Sequence, residues 1–205
     1  MYDFIIYNTT NDTSVSVKEV VRIMREYLLL LPLIFIFHDM EEIVGFGWFF
    51  RRNPWLYERF PKVMKNYIGF TEMGMAIGVY EELLLFGGVS LAAYYFPGKL
   101  LYAVWFGFFL DLTAHFIVHI GHTLYIRKYI PSFITSVICL PVSIIVLYRT
   151  AHFLTFDLIT TAGIVISILL MIGNFFMLHA VVHRINARIN SQDKSYNTVP
   201  IPGRN

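Results

Sequence analysis

The chain has 205 residues, of which 57% are hydrophobic, 17% aromatic and only 15% charged, and its net charge is +2. Soluble domains carry roughly 25% charged residues, so a water-exposed globular domain is excluded, and so small a net charge gives no footing for nucleic acid. A single cysteine, Cys139, excludes an intrachain disulfide and a multi-thiolate zinc site.

Residues 1–26 read as an N-terminal extracytoplasmic segment, and the first ten lack the basic flank of a cleavable signal. Apolar stretches follow near 27–50, 70–95, 99–124, 131–149 and 157–183. Each is long enough for the about 20 helical residues that cross a bilayer. Pro32 predicts a kink in the first. The second carries Gly74, Gly78, Gly87 and Gly88, which permit close helix approach. Pro97-Gly98 turns the chain into the third. Pro131 opens the fourth in its first turn, and Pro141 bends it. The fifth closes on His179 and His183 and gives way to a polar tail, disordered from Asn190, within residues 185–205. The fold class is all-α: an integral membrane bundle of about five transmembrane helices, with residues 27–184 as one domain.

Lysine and arginine cluster in the loop after the first helix, in the loop after the third and at the C-terminus, eleven in all against five on the opposite side. By the positive-inside rule the N-terminus lies outside and the C-terminus in the cytoplasm, in the plasma (cytoplasmic) membrane.

Ionisable side chains inside a span each cost about 2.5–3.5 kcal/mol on insertion scales for Asp, Lys or Arg, yet this chain places many there. The first helix holds His38, Asp39, Glu41 and Glu42; the second, Glu81 and Glu82; the third, Asp111, His115, His119 and His122; the fifth, His179 and His183. His38, Glu41 and Glu42 stand at i, i+3 and i+4 and share one helix face. Asp111, His115 and His119 form a stripe at four-residue steps, and His179 and His183 repeat the step. A lone intramembrane histidine usually serves helix–helix hydrogen bonding, and His122 and His183 lie close enough to the interface to be solvated. Pairs at i, i+4 on several helices are different, because they can bind one metal ion between them.

The expected ligands are His38, Glu42, Asp111, His115, His119 and His179, with Glu41 and Glu81 as catalytic carboxylates. Either of Glu41 and Glu42 can serve as ligand with the other as base, and either of Glu81 and Glu82 can face the site. The donor set suits zinc first, with iron or manganese as alternatives. The activity this predicts is hydrolysis of a lipid or other hydrophobic substrate by metal-activated water. Alternatives are a di-iron oxidase or desaturase, a metal-free acid/base isomerase, and a proton- or metal-ion transporter, for which a homodimer would complete the pathway.

The segment His38-Asp39-Met40-Glu41-Glu42 resembles the signature of the HXXEE family, small multispanning membrane proteins. The resemblance runs from about residue 30 to 184 and includes the third-helix histidines and Tyr129-Ile130-Pro131. The family commonly has glycine after that proline, where this chain has Ser132. The resemblance implies that the site lies at these residues, and the family's histidines and glutamates suggest an enzyme.

Overall fold

A computed structural model describes residues 16–197. The first fifteen residues of the N-terminal segment and the last eight of the tail fall outside that range. The described chain is helical and contains no strand: α1 (Val17–Leu28), α2 (Leu30–Arg52), two short helices α3 (Trp55–Arg59) and α4 (Pro61–Met64), a 3-10 turn (Lys65–Tyr67), then α5 (Glu72–Tyr95), α6 (Lys99–Ile126), α7 (Phe133–Ala151) and α8 (Leu158–Asn197).

Helices α5, α6, α7 and α8 are each long and apolar enough to cross a membrane. With 23 residues α2 has the length as well, but Asp39, Glu41 and Glu42 interrupt its apolar run. It packs against α5, α6 and α7 as the fifth long helix of the bundle. The protein is an all-helical membrane protein.

The first span starts later than its composition predicts, because the chain breaks at Leu29 and α1 is a separate amphipathic helix. Val20, Met24 and Leu28, at i, i+4 and i+8, are fully buried, while Ser16 caps the helix by accepting from the Glu19 N–H. Pro32 therefore lies in the first turn of α2, and the interruption falls three residues before it, at Leu29. A proline has no N–H to offer the carbonyl four residues back. The freed carbonyl of Leu28 accepts from Trp105 Nε1 at 2.9 Å, tying the break to a fully buried side chain of α6.

Two other prolines behave differently. Pro131 precedes α7 instead of entering its first turn, with Ser132 as the N-cap residue. Pro141 lies inside α7, as its sequence position implies.

Helix α6 is the centre of the bundle, and its seam with α8 is close. A Cβ on Gly163 would lie 2.6 Å from Ala103 Cβ and 3.3 Å from the Leu100 carbonyl oxygen, so only glycine fits there. At 40 residues α8 is about 60 Å long, roughly twice the hydrocarbon thickness of a bilayer. It stays helical past Asn190, where the sequence predicts a disordered tail. Two asparagines hold its polar part as far as Asn190. Asn186 Oδ1 accepts from Thr71 Oγ1 at 2.6 Å, and Asn190 Nδ2 donates to the Gly69 carbonyl at 2.9 Å, clamping the polar part of α8 to the start of α5.

Candidate metal centre

Helices α2 and α6 each contribute an i, i+4 pair, and the two pairs face each other. One donor atom from each of His38, Glu42, His115 and His119 lies within 4.8 Å of every other. His119 Nε2 stands 2.7 Å from His115 Nε2 and 2.9 Å from Glu42 Oε1, and His38 Nε2 stands 3.8 Å from Glu42 Oε1. Ligand atoms around a tetrahedral ion with bonds of 2.0–2.1 Å are about 3.3 Å apart, and the observed spacings bracket that value.

The surroundings prepare these nitrogens as lone-pair donors. Thr135 Oγ1, on α7, donates its proton to Glu41 Oε2 at 2.6 Å. The same oxygen is 3.0 Å from His38 Nδ1 and must accept from it. His38 thus carries its proton on Nδ1, and Nε2 turns a lone pair toward Glu42. Ser132 Oγ meets His119 Nδ1 at 2.7 Å on the same side of the site. Such outer partners fix the orientation of imidazole ligands in metal sites.

Two atoms of the group, His38 Nε2 and Glu42 Oε1, are buried and have no aligned hydrogen-bond donor. Asp39 is buried beside them, with Oδ1 3.8 Å from His38 Nε2. Among the described residues no lysine or arginine pairs with Asp39 or Glu42. Buried carboxylates without a cation carry a heavy desolvation penalty. A divalent cation would supply the missing charge and use the orphaned lone pairs, so the residues fit a metal ion.

The second glutamate of the motif does different work. Glu41 accepts from the backbone N–H of Thr135 at 2.8 Å, from that of Ile134 at 3.4 Å and from the Tyr129 hydroxyl at 2.5 Å. It caps the N-terminus of α7 and lies outside the donor group, where the sequence predicts a catalytic carboxylate. Burial and this carboxylate together push the Tyr129 hydroxyl up to about 12.

Ser132 sits at φ 98°, in the left-handed region that favours glycine. Gly45 fits this corner too, since a Cβ there would lie 2.5 Å from Pro131 Cβ.

Other predicted site residues lie elsewhere. Glu81 accepts from Asn174 Nδ2 at 3.0 Å and bridges α5 to α8. Asp111, one turn from His115, is half-buried with one unpartnered oxygen and stands outside the four-donor group. His179 turns its Nδ1 to the Phe175 carbonyl at 3.2 Å and also stands outside the group. The neighbouring carboxylate, Glu82, lines a groove of about 270 Å3 between α5, α6 and α8, together with Glu42, His115, His119, His179 and His183. His115 is exposed at this groove, Glu42 reaches its wall while largely buried, and His38 is buried behind it.

Residues 29–146 match the family described as protein of unknown function with HXXEE motif. The chain belongs to the HXXEE family. No curated protein and no solved structure matches it. The HXXEE match runs from the start of α2 into α7, which carries all four donors together with Ser132 and Thr135. Helix α8, with His179 and His183, falls beyond it, so the shared region is shorter than the sequence resemblance predicts. Within the HXXEE motif of this chain the first histidine and last glutamate join the donor group, and the middle glutamate holds α7 against them. Ser132 and Thr135 were missed by sequence reasoning; the only signal for them is hydroxyl residues three apart at a helix start after proline.

Proposed function

We propose that this protein is a membrane-embedded, metal-dependent hydrolase that cleaves an ester or amide bond in a lipid or other hydrophobic substrate. The observation that carries the reading is a four-atom His/Glu donor group of which Glu42, His115 and His119 line a largely apolar groove, with His115 its exposed member. In this reading His38, His115, His119 and Glu42 hold one ion, zinc by donor type, with iron or manganese as the alternatives. An ion held there would supply Lewis acidity and lower the pKa of a water toward 7.

The chain's own groups do the rest. The groove walls seat the substrate's apolar part. Glu82 faces the same groove without belonging to the donor group, which suits a general base. It takes the proton of the attacking water and returns it to the leaving alcohol or amine, as the carbonyl carbon gains an oxygen and loses its C–O or C–N bond. One compact group of four donors favours a single ion over a di-iron pair.

The excess of basic residues at the end of the bundle that holds the groove supports a cytoplasmic position for that end and for the C-terminus, in the plasma membrane, with the N-terminus outside.

The test uses purified, zinc-loaded protein in vesicles with a panel of ester- and amide-linked lipids, and reads fatty-acid release in 18O-labelled water. Label should enter the released acid. Glu82→Gln should lower the rate by about 100-fold or more while keeping the metal, and Glu81→Gln should change neither. Absent hydrolysis together with metal passage across the vesicle wall would replace this reading with the transporter.

A further inference from the structure

The groove beside the donor group has a charge pattern and a length that restrict its occupant. One wall is α8, which presents Met171, Phe175, Leu178 and Val182. From Met171 to Val182 the helix rises about 16 Å, roughly half the 30 Å hydrocarbon core, so the apolar stretch of this wall is about one leaflet long. The facing wall is α5, where Gly78 is buried close against α8. A Cβ there would meet Val182 and Leu178 at 3.4–3.5 Å, so anything larger than alanine enters the groove itself. Phe175, on the groove wall, is 54% exposed, so the groove is not sealed at that residue.

Its volume of about 270 Å3 is at the small end of ligand sites, which span about 300–1,000 Å3. That suits one acyl chain and not two. Among the described lining residues there is no lysine or arginine, and two carboxylates, Glu42 and Glu82, face the space. At the end nearest the basic loops the lining is Tyr67, His183 and Asn186, which offer hydrogen bonds. An anionic headgroup drawn in along this route would meet the Glu82 carboxylate and no lysine or arginine.

We infer that the groove takes a neutral, single-chain amphiphile with a hydroxyl- or amide-bearing headgroup, which enters sideways from one leaflet and lays its ester or amide bond beside His115. This rests on the hydrolase reading for what happens to the bond, but the binding stands on the groove alone.

The full-length protein in nanodiscs is exposed to photoactivatable probes that share one acyl chain of about twelve carbons, matched to a leaflet of roughly 15 Å. The probes are a monoacylglycerol, an N-acylethanolamine, a lysophosphatidate and a two-chain phosphatidylcholine, and labelled peptides are mapped by mass spectrometry. The two neutral single-chain probes should label α5 and α8 groove peptides at least about tenfold more than the other two. Gly78→Phe, which fills the groove, should abolish that labelling without removing the metal. If that variant does not fold, Val182→Trp fills the same space from α8 and should give the same loss. Preferential or equal labelling by lysophosphatidate or the two-chain lipid overturns the inference, as does neutral labelling that survives both fillings. The neutral probes should still label His115→Ala. Groove labelling without any hydrolysis therefore sinks the hydrolase reading alone, whereas hydrolysis with a preference for anionic probes sinks this inference alone.

Discussion

The Thr135 hydroxyl lies 3.0 Å from His38 Nδ1 and passes its own proton to Glu41, 2.6 Å away, so a carboxylate on α2 fixes the tautomer of a histidine one turn earlier on the same helix by way of α7. The HXXEE motif thereby acts twice. Glu42 joins His38 in the donor group, and Glu41 anchors the helix whose hydroxyl orients His38.

Removing the relay should weaken metal binding without abolishing the fold. Thr135→Val keeps the side-chain volume and removes the hydroxyl, and it should lower metal affinity by about 10–100-fold. Thr135→Ser should stay near wild type. Competition against a chelator of known affinity checks both.

Ser132 predicts opposite changes in stability and binding. Its φ of 98° is strained for a residue with a side chain, so Ser132→Gly should raise stability by about 1 kcal/mol. The same change deletes the hydroxyl 2.7 Å from His119 Nδ1 and should loosen the metal. Thermal unfolding in detergent and a chelator titration on the same preparation read the two signs.

The α2–α7 corner should tolerate no side chain at Gly45. Gly45→Ala places a methyl group 2.5 Å from Pro131 Cβ, and overpacking of this kind costs about 1–3 kcal/mol. Because Pro131 precedes Ser132, metal affinity should fall along with the unfolding temperature. Alanine at Gly87, inside α5 with open space around it, serves as the control and should leave metal affinity unchanged and the unfolding temperature no lower.

Alkaline pH should release the Tyr129–Glu41 contact. The Tyr129 hydroxyl is raised to about 12, above the roughly 10 of an unfolded chain. Its stabilising effect is therefore complete below about pH 10 and fades as pH rises through about 12. Unfolding curves between those values should fall for wild type and lie flatter for Tyr129→Phe.

Much of the site was legible because helical spacing alone pairs His38 with Glu42 and His115 with His119. Spacing could not say which of two adjacent glutamates turns inward. Glu41 and Glu42 are one residue apart on α2, and the outcome depends on α7, whose exposed N–H groups attract Glu41. The same holds on α5, where Asn174 of α8 takes Glu81 and leaves Glu82 at the groove. The break at Leu29 was hidden because the apolar run continues through it, and only the Trp105 bond to the Leu28 carbonyl marks the join. The helical end of α8 was hidden for the opposite reason, since its polar composition hides two asparagines that bind across to α5.

Elemental analysis of the purified protein, alongside His119→Ala, tests the shared metal centre most directly. About one zinc, iron or manganese ion per chain should survive dialysis in the wild type and be lost from the variant, whose fold is checked by its helical circular dichroism. A wild-type protein without bound metal, or a folded variant that retains the same ion at the same stoichiometry, would contradict the account.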